Sequence, residues 1–118
     1  MGIKNVAASI VLGLLFTSLV VIYQVNPPNI LVCANAADGK VLWQQRLADG
    51  TYWASPVAAD GKIFAVNDAG TTTVMQVGDK PMILTRNALD DPILATPAIA
   101  GGCIFLRSDQ HLYCVSGN

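Results

Sequence analysis

The sequence predicts an all-β chain, an antiparallel meander of about nine short strands preceded by one N-terminal hydrophobic helix. Three observations predict this. The stretch "TYWASPVAADGKIF" at 51–64 returns in altered form as "PILATPAIAGGCIF" at 92–105. Short β-rich runs alternate with Asp-Gly and Gly-Gly pairs, which accept the positive φ of a tight hairpin cheaply. The first third is apolar and carries no charge from Asn5 to Ala37.

The apolar heart of that leader runs from Val6 to Tyr23, 23 − 6 + 1 = 18 residues. As a helix it would be about 27 Å long, close to the ~30 Å hydrocarbon core of a bilayer. Lys4 precedes it, and Pro27 and Pro28 forbid its continuation. The expected organisation is a signal-anchor or transmembrane segment over 1–26, its N-terminus held inside by Lys4. Residues 27–118 then form a β region outside the cytoplasm, tied to the membrane by a single pass. Two other readings stay open. Ala34-Asn35-Ala36 offers an A-x-A cleavage pattern, far beyond the apolar core. The β-branched residues Ile10, Val11, Val20, Val21 and Ile22 suit strands as well as a helix.

Beyond Pro28 the pattern is β. Strands are expected near Ile30–Asn35, Val41–Arg46, Ala54–Ala59, Lys62–Asn67, Thr72–Val77, Met82–Arg86, Thr96–Ala100, Cys103–Arg107 and His111–Val115. Turns fall at Asp38-Gly39, Asp60-Gly61, Ala69-Gly70, Gly78-Asp79, Gly101-Gly102 and Ser108-Asp109. Overlaying the two opening stretches gives an offset of 94 − 53 = 41 residues. Ala54, Pro56, Ala59, Gly61, Ile63, Phe64 and Asp68 then fall on Ala95, Pro97, Ala100, Gly102, Ile104, Phe105 and Asp109. Four short strands in ~40 residues make a β-propeller blade, so the chain holds about two blades. Pro56 and Pro97 stand at strand starts, where a missing N–H is tolerated.

One further stretch carries a family resemblance. "CANAADGKVLW", Cys33 to Trp43, resembles the repeat signature of PQQ-like β-propellers, the quinoprotein dehydrogenases and their non-catalytic relatives such as the outer-membrane assembly lipoprotein of the BAM complex. Asn35 stands where Asp is usual and Asp38 where Thr is usual, while Gly39 and Lys40 match. The resemblance makes Gly39 the turn between a blade's last two strands and Trp43 the ring that docks neighbouring blades. It extends over about 30–118 and weakens at 74–91, where Leu84 or Thr85 stands nearest the place of the Trp. It implies the C-terminal part of a longer propeller, or a chain that completes its surface with other copies or another protein. The structural repeat residues are therefore Gly39, Trp43, Pro56, Gly61, Pro97 and Gly102.

Chemistry-bearing residues are sparse. A net charge of −1 without a basic run excludes nucleic acid as a partner. Asp38, Asp60, Asp68, Asp79 and Asp109 sit in predicted turns. Asp90-Asp91 before Pro92 reads as a loop start, with cation binding as the alternative. His111 is the only histidine and has no evident partner in sequence. Cys33 and Cys114 share a repeat position and read as small buried filler. Cys103 and Cys114 lie on adjacent strands, and a disulfide requires that they face each other directly. Tyr52 and Trp53 read as blade packing. No catalytic, cofactor-binding or metal residue is assigned, and no cofactor is expected. The expected function is a non-catalytic, membrane-anchored module that binds or scaffolds proteins outside the cytoplasm. Two alternatives stand beside it: a fragment of a PQQ-dependent oxidoreductase that lacks its active-site blades, and a decayed gene product.

Overall fold

The computed structural model describes residues 9–13 and 20–116. Among them, eleven strands form three antiparallel sheets. The first sheet contains β1 (Ser9–Gly13), β2 (Val20–Asn26), β3 (Ile30–Asn35) and β4 (Val41–Arg46), in that order. The second contains β5 (Val57–Ala59), β6 (Lys62–Val66), β7 (Thr71–Gln76) and β8 (Met82–Ala88). The third contains β9 (Ala98–Ala100), β10 (Cys103–Arg107) and β11 (Leu112–Ser116).

The leader is where the structure departs from expectation. Ser9–Gly13 and Val20–Tyr23 lie in strands rather than in a hydrophobic helix, and the rest of Val6–Tyr23 lies outside the described residues. No helix among the described residues is long and apolar enough to cross a membrane. The pairing Val21↔Asn35 to Asn26↔Ile30 carries the sheet across residues 26 and 27, where a domain boundary was expected. The physical reason is two-sided burial. A strand inside a stacked sheet is covered on both faces and reads as a continuous apolar run. Val21, Tyr23 and Val25 are buried on one face of β2, and Ile22 between them is half-buried.

Hairpin chemistry sets the remaining register. Asp60 and Gly61 both have positive φ (52° and 69°), as do Gly101 and Gly102 (58° and 77°), which is the two-residue turn that matches strand twist. Val57 then pairs with Phe64, and Phe105 with Ala98. The β3–β4 turn is built by side chains. Asn35 Oδ1 accepts from the Ala37 N–H, Asp38 Oδ1 accepts from the Lys40 N–H, and Gly39 takes φ 74°. Asn35 thus fills the capping role in which an Asp is usual.

The main core lies between the first and second sheets. Val21, Tyr23, Val25, Leu31 and Cys33 from the first meet Ile63, Ala65 and Met75 from the second, and Trp43, Tyr52 and Ile83 pack against them. A smaller cluster of Val66, Ile93 and Leu106 joins the second sheet to the third.

Candidate protein-binding surface

The repeat residues are placed as follows. Gly39 and Gly61 lie in the β3–β4 and β5–β6 turns, and Gly102 in the β9–β10 turn. Pro56 and Pro97 are buried and stand one residue ahead of β5 and β9. Trp43 lies opposite Cys33, which lies opposite Tyr23, so the three form one row across the first sheet. The Trp43 and Tyr23 rings pack with centroids 5.7 Å apart, and the Trp43 Nε1–H donates to the Gly78 carbonyl in the β7–β8 turn at 3.3 Å. Burial pushes the Tyr23 hydroxyl far above its ordinary pKa, with Cys33 adding to the shift, and burial also raises the Cys33 thiol.

The end of the sheets opposite those turns carries the polar residues. There the connectors that run from one sheet to the next cross the β2–β3, β6–β7 and β10–β11 turns. Asn29 is buried, donating to the Leu47 carbonyl at 2.9 Å and accepting from Arg46 at 3.2 Å. Buried Asn67 donates to the Asp49 carbonyl at 2.9 Å and accepts from the Thr71 N–H at 2.8 Å. Ser108, 41 residues on, repeats that turn-closing role by accepting from the His111 N–H at 2.9 Å. These bonds satisfy buried polar groups and fix the connectors on the turns.

The connectors carry two exposed apolar side chains. Trp53 is 66% exposed and Leu94 is 53% exposed. They occupy equivalent repeat positions, 94 − 53 = 41. Two residues beyond each, the Ser55 N–H donates to Thr96 Oγ1 at 3.1 Å, which holds the two connectors side by side. Trp53 therefore does not pack between blades as expected. Neighbouring Tyr52 does pack, donating its hydroxyl to the Ala48 carbonyl at 2.8 Å, and burial pushes its pKa up to about 12.

Three residues before Leu94, Asp91 gathers a polar cluster that sequence reasoning missed. The Tyr113 hydroxyl donates to Asp91 Oδ2 at 2.5 Å, and His111 Nδ1 lies 3.2 Å from the same oxygen. The Tyr113 hydroxyl, then Ser108 and His111, hold the Asp91 carboxyl below the usual carboxylate range, and Asp91 in turn raises Tyr113. His111 thus has a carboxylate partner from a distant connector, and nothing in its local sequence announces that. Asp91 acts as a clamp between the connector and the β10–β11 hairpin. Its backbone also presses on Gly70, where an added Cβ would lie 2.3 Å from the Asp91 carbonyl oxygen. No group of three or more His, Cys, Asp or Glu side chains disposed to hold a metal occurs among the described residues.

The register answers the open question of Cys103 and Cys114, and the exposure of Cys114 departs from the buried filler expected of it. Cys103 pairs with Ser116 and Cys114 with Phe105, so the two are diagonal neighbours on one face rather than a direct pair. Both are free thiols, and Cys103 beside Cys114 raises its pKa. Cys33 is buried as filler, whereas Cys114 at the equivalent position is exposed.

Compared with known proteins, the chain matches the PQQ-repeat family described as outer membrane protein assembly factor BamB over residues 13–80. The match spans 80 − 13 + 1 = 68 of the 118 residues and includes the Cys33–Trp43 signature. No curated protein matches the chain.

Proposed function

From the premise that the chain belongs to the PQQ-like repeat family of outer membrane protein assembly factor BamB, we infer that it is a non-catalytic propeller module that binds proteins outside the cytoplasm. The observation that carries this reading is the pair Trp53 and Leu94. Two large apolar side chains stand in solvent at equivalent positions on adjacent connectors, with polar Asp91, His111 and Tyr113 on the same connector and the next hairpin. Exposed aromatic anchors beside a polar rim are the composition of an interface centre. The connectors are fixed by buried Asn29 and Asn67, so the surface is ordered before a partner arrives and little ordering entropy opposes binding. The family's description as an outer membrane protein assembly factor supports an extracytoplasmic setting. Val20–Asn26 are committed to the first sheet, so contact with the membrane runs through partner proteins rather than through that stretch.

The test is site-specific photocrosslinking of the full chain in cells, with the crosslinker at position 53 or 94 and a control at Lys80. A discrete adduct with a membrane-associated protein is expected from 53 and 94, weakened at least tenfold by Leu94→Asp when the crosslinker is at 53. Equal labelling at Lys80 overturns the reading. Carbonate extraction that releases the chain from membranes supports peripheral attachment, and retention contradicts it. Oxidation of alcohols or sugars that depends on added PQQ and Ca²⁺ would make the chain an enzyme instead.

A further inference from the structure

Cys103 opens β10 and Cys114 stands at the centre of β11. The hairpin between them pairs Cys103 with Ser116 and Phe105 with Cys114. Side chains alternate between the faces of a strand, so Cys103, Phe105, Leu112 and Cys114 share one face of the third sheet. Ile104, Leu106 and Tyr113 take the other face, which packs toward the second sheet. The two thiols therefore stand together on the outer face. Cys114 is exposed there and Cys103 is half-buried.

Their spacing suits a bridging atom better than a direct bond. Diagonal neighbours of an antiparallel pair have Cα atoms about 7–8 Å apart and Cβ atoms somewhat closer. A disulfide needs Cβ atoms about 3.5–4.5 Å apart. A metal ion asks for less, since each metal–thiolate bond is about 2.3 Å and two opposed sulfurs then stand up to ~4.6 Å apart. The sulfurs are within reach of each other. Contact with the Cys103 thiol, ahead of burial, raises the Cys114 pKa.

The donor set selects the ion. Among the described residues no third His, Cys, Asp or Glu joins this pair. Structural zinc takes four ligands, and calcium and magnesium take oxygen. Two thiolates alone suit Cu(I), the soft ion that such ligands select. Ala98, Ala100 and Phe105 share the face, and its one hydroxyl, Ser116, is a hard oxygen that Cu(I) passes over. Two thiolates and Cu(I) together carry one negative charge, and Arg107 lies on the same face of β10 to balance it.

We propose that Cys103 and Cys114 form a two-coordinate site for Cu(I) on the outer face of the third sheet. Binding replaces two S–H bonds by two Cu–S bonds and releases two protons, with no change of oxidation state. The site is separate from the Trp53–Leu94 surface and stands or falls independently of it.

The test titrates the full chain, reduced and kept free of oxygen, with Cu(I) supplied as its acetonitrile complex against a competing Cu(I) chelator. Native mass spectrometry should show one copper per chain, and affinity should rise with pH as the thiols give up their protons. Cys103→Ser and Cys114→Ser should each weaken binding on the order of 100-fold, the advantage of holding the second ligand in place. Cys33→Ala should bind as the unchanged chain does. Alkylation of the folded chain, which spares buried Cys33, gives the same loss should a Ser variant not fold. Single-cysteine variants that bind as tightly as the unchanged chain overturn the pair, and so does one copper shared between two chains. Zn(II) held as tightly as Cu(I) overturns the two-coordinate assignment.

Discussion

The two sheet junctions of this protein follow one plan and end differently. Between the first and second sheets, Tyr23, Cys33 and Trp43 form a row that closes on Ile63, Ala65 and Met75, and the indole reaches across to the Gly78 carbonyl. Between the second and third, Phe64 and Val74 hold their places but Thr85 ends the row, and contact contracts to Val66, Ile93 and Leu106. The second junction lacks the ring at the end of the row and faces a sheet of three strands rather than four, and its buried contact is smaller. A ring such as indole fills area that three or four smaller side chains cannot reach from their own strands.

Removing the first indole should have the largest effect. Trp43→Ala is expected to cost about 3 kcal/mol in urea unfolding, the low end for an aromatic truncation because the ring is only half-buried. Thr85→Ala, the matching truncation in the second row, should change stability by less than about 0.5 kcal/mol. Equal costs would show that the two junctions do not differ as described. Gly70→Ala is expected to cost about 2 kcal/mol or more, since φ is 91° and the new Cβ meets the Asp91 carbonyl. Loss of the Asp91–Tyr113 contact in the NMR spectra of that variant would locate the damage at the second junction. The smallest effect concerns pH. Asp91 has a lowered pKa in the folded state, so its clamp is fully present above the ordinary carboxylate pKa of ~3.9. The contribution fades as pH falls through the lowered folded value. Asp91→Asn should flatten the acid limb of the stability profile and, because Asp91 also raises the Tyr113 pKa, alter the alkaline limb as well, where the raised tyrosine makes stability fall with rising pH.

The fold beyond Pro28 is legible in the sequence because its signals are local. Asp60-Gly61 and Gly101-Gly102 mark their turns directly, and β3, β4 and β10 fall on the residues expected of them. The 41-residue step carries Tyr23 and Cys33 onto Phe64 and Val74, but it carries Trp43 onto Leu84. It did not give the leader, because Val20 to Tyr23 is apolar on both faces, and two-sided burial erases the alternation that identifies a strand. Trp53 was read as packing because composition alone cannot tell a ring that covers a core from one that waits for a partner. Asp91 meets His111 and Tyr113 only through connector geometry, 20 and 22 residues apart in the chain. Thr85 was one of two residues placed near the missing ring, and only the bulge after Val74 selects it over Leu84.

The pairing of β2 with β3 bears on how the chain can be processed. Ala36 lies in the exposed turn between β3 and β4. Cleavage there, at the A-x-A pattern, would separate Tyr23 and Cys33 on one fragment from Trp43 on the other. The row that makes the first junction would be cut in two. Maturation at that site and an intact first core are therefore mutually exclusive, and a protease that removed this leader would remove most of a sheet with it.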